Sequence, residues 1–221
     1  MFDIILFDLD GTLTDSAEGI LNSVKYALNK MNIQIPDVKT LNEFIGPPLT
    51  DSYIKYCGMT EKEAYEGLML YREYFNVKGL FENRVYDGIP ELLEKLCRDG
   101  KMLLVATSKP EEFSIKILEH FGLAKYFKMI VGATLDESIN TKDAVINYAL
   151  ERLAKEGVHV DKTKVLMIGD RRHDVEGAIK NGLRCMGVLY GYGSEKELTD
   201  AGASYIAATP EEIYDIVSKI A

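Results

Sequence analysis

Strand-like and helix-like patterns alternate through most of this chain, and few folds can absorb such an alternation. Strands are predicted at Asp3–Phe7, Met102–Ala106, Met129–Val131, Val165–Ile168, Arg184–Val188 and, briefly, Tyr205–Ala207. Helix-length segments separate the later ones. Pro110 opens one and Gly122 closes it, Thr141 or Asn140 caps the next and Gly157 follows it, and Thr209-Pro210-Glu211-Glu212 announces the last. Strands alternating with helices predict an α/β fold, a parallel sheet covered by helices on both faces.

Residues from about Ser16 to Leu80 break this rhythm. Ala17, Ile20, Leu21, Val24, Ala27, Leu28 and Met31 form a helical stripe. Asp15 with Glu18, and Thr60 with Glu63, have the spacing of capping boxes. No strand pattern intervenes. The expected organisation is an α/β core of residues 1–15 and 82–221, with an all-helical cap of residues 16–81 inserted, hinged near Thr14–Ser16 and Phe81–Gly88.

Chemistry is concentrated where the first strand ends. Ile4-Ile5-Leu6-Phe7 runs directly into Asp8-Leu9-Asp10-Gly11-Thr12. Two carboxylates two positions apart at the mouth of a buried strand raise each other's proton affinity. A bound cation relieves that repulsion, and Mg²⁺ prefers carboxylate and water oxygens. The motif therefore points to a metal-assisted carboxylate site with one Asp available as nucleophile. Three more strand ends carry polar groups: Thr107-Ser108-Lys109-Pro110, Lys142 at a helix start, and Gly169-Asp170-Arg171-Arg172-His173-Asp174. In an open parallel sheet, ligands bind beyond the carboxyl ends of the strands, so all four would share one edge.

Bulk properties narrow the partners. A formal net charge of -9 disfavours nucleic acid or an anionic membrane as partner. An anionic substrate must then be welcomed locally, by metal, Lys and backbone N–H groups. Cys57, Cys97 and Cys185 are odd in number and lack paired spacing, so free thiols are expected rather than a zinc site or disulfides. There is no basic lead with an apolar stretch and no membrane-length apolar run, which points to the cytoplasm. Monomer and dimer both stay open.

In order and context, these four motifs resemble the haloacid dehalogenase-like hydrolases, specifically the phosphoglycolate phosphatase-like branch with a helical cap at this insertion point. The resemblance covers essentially the whole chain. It implies a Rossmann-like core and a Mg²⁺-dependent phosphatase acting on a small phosphorylated metabolite such as phosphoglycolate, a nucleoside monophosphate or a sugar phosphate. By the same resemblance, Asp8 is the nucleophile that becomes an aspartyl-phosphate. Asp10 is the acid and base. Mg²⁺ is held by the Asp8 side chain, the Asp10 carbonyl and the Asp170 side chain, with Asp174 just behind. Thr107, Ser108 and Lys142 hold the phosphoryl group, and Gly46, Pro47 and Pro48 form the cap's specificity loop. Arg171, Arg172 and His173 depart from the commoner pattern and would neutralise the carboxylates or touch substrate. A sugar phosphomutase of the same superfamily and a phosphate-binding module without turnover remain alternative readings. A dehalogenase is disfavoured because its motif lacks the second Asp, present here as Asp10.

Overall fold

The computed structural model describes residues 2–136 and 138–219. In chain order, β1 (Ile4–Phe7) leads into a two-residue strand, β2 (Thr14–Asp15), and four helices follow: α1 (Ala17–Lys30), α2 (Val38–Asn42), α3 (Leu49–Cys57) and α4 (Glu61–Tyr74). A π-helical turn, Phe75–Gly79, extends α4 before β3 (Arg84–Val85). The remainder alternates: α5 (Ile89–Arg98), β4 (Met102–Pro110), α6 (Glu111–His120), β5 (Met129–Ala133), α7 (Lys142–Lys155), β6 (Val165–Gly169), α8 (Arg172–Lys180), β7 (Arg184–Val188), α9 (Glu195–Asp200), β8 (Tyr205–Ala207) and α10 (Pro210–Lys219). The chain divides into two compact units, Met1–Thr14 with Val85–Ala221, and Asp15–Arg84.

The first unit is built on a six-stranded sheet of order β5-β4-β1-β6-β7-β8. Every neighbouring pair is parallel. Phe7, the last residue of β1, lies level with Val105 on one side and Ile168 on the other. The connections run outward from β1 through β4 to β5, then return to β6 on its other side. That reversal makes the end of β1 the topological switch point, where crevices open in such sheets.

Alternation along the strands fills both faces. Ile4 and Leu6 pack with Leu104, Ala106, Val165 and Met167 against Val145, Ile146 and Ala149 of α7 and Val175 of α8. Their neighbours Ile5, Phe7, Leu103, Val105, Leu166 and Ile168 are equally buried and point the other way. On that side α5 and α10 pack together and bury Ile89, Leu93, Leu96 and Ile213. Each such side chain contributes roughly 1.5–3 kcal/mol of transfer free energy. These strands therefore read as continuous apolar runs, as a doubly covered sheet requires.

The second unit holds α1–α4. A Cβ at Gly19 of α1 would overlap the Gly79 carbonyl, so the two segments meet backbone to backbone. Tyr71 and Phe75 stack at 5.2 Å within its core. The Thr60–Glu63 capping box forms in full at the start of α4. The one expected from Asp15 and Glu18 does not. Ser16 is the N-cap of α1, and Asp15 instead accepts from the Ala17 N–H and pairs with Arg84 at 2.8 Å. A partner distant in sequence outcompetes the local cap for that carboxylate. Gly46 (φ 106°), Pro47 and Pro48 lie in this unit between α2 and α3, where Pro48 is the N-cap of α3. Cys57, Cys97 and Cys185 are free thiols. No helix among the described residues is long and apolar enough to cross a membrane.

Candidate active site

β1 delivers Asp8 in the residue after its last strand position, where the Asp8 N–H still donates to the Ile168 carbonyl at 2.9 Å. The chain then turns back on itself, with the Leu13 and Thr14 N–H groups both donating to the Leu9 carbonyl. Gly11 makes this turn possible twice over. Its φ is +82°, and a Cβ there would overlap the Asp170 carboxylate. The first and last motifs of the chain thus meet across the β1–β6 pairing.

Lys142, the first residue of α7, is the hub of the charged cluster. Its ammonium lies 2.6 Å from Asp8 Oδ1, 2.8 Å from Asp174 Oδ1 and 3.2 Å from the Ala106 carbonyl. Only 6% of the residue is exposed. Burial alone would lower its proton affinity, but Asp174 and Asp8 outweigh that and raise it, so the ammonium stays charged. Asp174 also caps α8, its Oδ2 accepting from the Arg171 N–H at 3.0 Å.

Asp170 has no solvent exposure. Its Oδ1 accepts from the Thr12 hydroxyl at 3.3 Å and its Oδ2 from the Tyr192 N–H at 2.8 Å. Burial, then Asp174 and Asp8, push its carboxyl well above the ordinary range. Asp8 is pushed up to about 6, chiefly by burial, with Asp174 adding to the effect and Lys142 and the Thr107 hydroxyl opposing it. Carboxylate oxygens of Asp8, Asp170 and Asp174 all lie within 4.8 Å of one another.

Asp10 is paired with Lys109, whose ammonium is 2.7 Å from Asp10 Oδ2, while Asp10 Oδ1 is buried without a hydrogen-bond partner among the described residues. Thr107 is buried and its hydroxyl accepts from the Lys109 N–H at 3.3 Å; Ser108 beside it is exposed. Residues 107–110 belong to β4, which runs past its expected end at Ala106, with a register shift against β5 between Ala106 and Pro110. That irregularity gathers Thr107, Ser108 and Lys109 near one strand end.

Arg171 turns away to Glu197, with its Nε 2.9 Å from Oε1, and the Arg172 N–H donates to the same oxygen. Through its N–H Arg171 still bonds Asp174, and its charge lowers the Asp170 carboxyl against the larger upward effects. Arg172 is exposed and His173 is half-buried, with burial first and then Arg172 and Arg171 lowering its proton affinity.

Sequence reasoning missed one element, the turn after β7. The Tyr190 hydroxyl donates to the Thr12 carbonyl at 3.0 Å, and Tyr192 supplies the N–H on Asp170. Its only signal in the sequence is a pair of glycines, Gly191 and Gly193, following a strand end at the functional edge.

Asp8 and Asp174, with Asp170 close to both, share the Lys142 ammonium while Asp10 pairs with Lys109, so these carboxyl groups outnumber the two ammonium groups by two. Oxygen donors with that deficit fit a hard divalent cation.

The model of the haloacid dehalogenase-like hydrolases matches residues 5–188. A Pseudomonas aeruginosa protein named 5'-nucleotidase is 50% identical over 194 residues, covering 88% of this chain and 86% of that protein. The tyrosine-protein kinase PtkA of Mycobacterium tuberculosis is 36% identical over 212 residues, covering 95% of this chain and 70% of its own length. The crystal structure of a predicted phosphatase from Clostridium acetobutylicum superposes with a TM-score of 0.91 at 51% identity, covering 99% of each chain. With its first and last motifs joined at one sheet edge and a family match spanning most of its length, this chain belongs to the haloacid dehalogenase-like hydrolases.

Proposed function

We propose that this protein is a Mg²⁺-dependent phosphatase that hydrolyses small phosphate monoesters through an aspartyl-phosphate, with nucleoside 5'-monophosphates the leading substrate class. The observation that carries this reading is Asp8. It stands at the switch point of the sheet, held by Lys142, with Asp170 and Asp174 close enough to share a cation. The nucleotidase at 50% identity supports the substrate class.

Asp8 would attack phosphorus, forming an Asp8–phosphorus bond as the bond to the leaving oxygen breaks. Asp10, in its acid form, would give its proton to that leaving oxygen. The Asp10 carboxylate would then take a proton from the water that splits the aspartyl-phosphate and frees Asp8. Lys142 holds the nucleophile in place and offers its ammonium to a phosphoryl oxygen, the Thr107 hydroxyl serves the same group, and the backbone N–H at Ser108 completes the cradle. Asp8 and Asp170, with the Asp10 carbonyl, would hold Mg²⁺, while Asp174 keeps its bonds to Lys142 and the Arg171 N–H. When bound, Mg²⁺ neutralises charge between the carboxylates and the phosphoryl oxygens.

The direct test is inorganic phosphate release from nucleoside 5'-monophosphates, phosphoglycolate, sugar phosphates and pyrophosphate, with Mg²⁺ and with chelator. Mg²⁺-dependent release, highest from a nucleoside monophosphate, is expected. No release from any member, or equal release in chelator, would sink the reading. The kinship to a protein named tyrosine kinase gives one rival a specific footing. There the phosphoryl group on Asp8 would pass to a tyrosine hydroxyl instead of water, and phosphate transferred to a tyrosine peptide without release would favour it.

A pH-dependent effect of the cation follows from Asp8. With its carboxyl raised from 3.8 to about 6, the folded protein holds this proton more tightly than the unfolded chain does. The stability this contributes is fully present below about pH 4 and is lost as pH rises through about 6. A cation bound beside Asp8 offsets that loss. The rise in Tm on adding Mg²⁺ is therefore expected to be larger at about pH 7.5 than at about pH 5. Thermal melts at both pH values check this, and an equal or larger rise at the acid pH would contradict it.

A further inference from the structure

The turn Tyr190-Gly191-Tyr192-Gly193 takes no part in the bond changes above, yet several independent contacts press it onto the site. The Tyr192 N–H donates to Asp170 Oδ2 at 2.8 Å. The Tyr190 hydroxyl donates to the Thr12 carbonyl at 3.0 Å, and its ring meets Tyr86 edge-on at 5.0 Å. A Cβ at Gly191 would overlap both Asp170 Cβ and the Gly11 carbonyl, and one at Gly193 would overlap the Asp170 carbonyl. Neither glycine has a positive φ, so space rather than backbone conformation excludes a side chain at both. On the opposite oxygen, Asp170 Oδ1 accepts from the Thr12 hydroxyl at 3.3 Å.

Asp170 is therefore gripped along its length: carbonyl, Cβ and both carboxylate oxygens each meet a fixed neighbour. A carboxylate with one donor on each oxygen cannot rotate without losing both hydrogen bonds in a buried setting, where an unmade bond is costly. We propose that the Tyr190–Gly193 turn is a positioning element that locks the Asp170 carboxylate in the orientation receiving the divalent cation. This rests on the metal-dependent reading above. Tyr190, Gly191 and Gly193 would act only through Asp170 and the Asp8–Thr12 turn. Partners of this kind commonly change metal affinity by about 10–100-fold when altered.

The test is calorimetric titration of Mg²⁺ into the full chain, without substrate, for wild type, Gly193→Ala and Tyr190→Phe, with phosphate release measured across Mg²⁺ concentrations. Gly193→Ala is expected to melt cooperatively and to bind Mg²⁺ about 10–100-fold more weakly. Half-maximal release should shift to higher Mg²⁺ by a similar factor, while kcat at saturating Mg²⁺ falls less. Tyr190→Phe should weaken binding by roughly twofold to tenfold, the size of one lost hydrogen bond. A folded Gly193→Ala with wild-type Mg²⁺ affinity overturns the inference. Where Gly193→Ala does not fold, an unchanged affinity in Tyr190→Phe overturns it. Wild-type protein that binds no Mg²⁺ and works in chelator removes the parent reading as well, whereas Mg²⁺ binding in wild type with indifferent variants removes this inference alone.

Discussion

Asp8→Asn is expected to abolish phosphate release while making the cation-free protein more resistant to heat. Asn keeps the shape of the side chain but cannot attack phosphorus, so turnover should fall by about 10⁴-fold or more. Stability should move the other way. The Asp8 carboxyl sits at about 6 because burial, with Asp174 behind it, disfavours its charge by more than Lys142 and Thr107 favour it. A displacement of that size corresponds to roughly 1–3 kcal/mol against the carboxylate at neutral pH. The amide removes that cost, and Lys142 keeps Asp174 at 2.8 Å and the Ala106 carbonyl at 3.2 Å. Phosphate release with Mg²⁺ and a melt in chelator make the comparison. Activity within tenfold of wild type would exclude Asp8 as nucleophile, and a lowered Tm would mean that Lys142 needs Asp8 more than Asp8 suffers from burial. Gain of stability on disabling a site is the expected signature of groups assembled for reaction rather than for folding.

Lys142→Met should do the opposite to stability and the same to activity. Met has a similar reach and no charge, so it fills the space but leaves Asp8, Asp170 and Asp174 facing one another without an intervening cation. Removing one partner from a buried ion pair typically costs about 3–5 kcal/mol, because the survivor remains buried and uncompensated. For a chain of this length that corresponds to a fall in Tm of roughly 6–20 °C. Adding Asp174→Asn to Lys142→Met should recover part of the stability and none of the turnover. Denaturant titration of wild type, both single variants and the double variant measures the coupling. Unaltered stability in Lys142→Met would show that the carboxylates discharge themselves by taking up protons. Lys142→Arg is no substitute, since a Cβ at Gly177 would already crowd the Lys142 chain and a guanidinium needs more room.

Much of the α/β unit was legible because its strands are short apolar runs with helices between them. Arg184–Val188 and Tyr205–Ala207 stand where the pattern put them. β4 does not stop at Ala106, because residues 107–110 continue beside β5 after a register shift that no local pattern announces. The cap expected from Asp15 and Glu18 failed for a related reason: Arg84, 69 positions away, takes the Asp15 carboxylate. Thr60 and Glu63 bond to each other in both directions, and their box forms.

In the site, the residue types were visible and the pairings were not. Asp8, Lys142 and Asp170 each come after a strand and Thr107 lies in the last part of β4, so a parallel sheet was enough to send them to one edge. That Lys142 bridges Asp8 and Asp174, that Lys109 pairs with Asp10, and that Arg171 turns to Glu197 depend on how deep each helix start sits against the sheet. The Tyr190–Gly193 turn carries no acid, base or charged ligand, so only its packing on Asp170 reveals it. By itself, the sequence determined where the six strands of the parallel sheet lie and which chemical groups stand near their ends, because apolar periodicity and turn residues act over a few positions, whereas the two-residue strands β2 and β3 carry no such signal. The tertiary structure decided which carboxylate meets which cation and which turn grips Asp170, because those energies depend on burial and on ångström-scale approach between segments far apart in the chain.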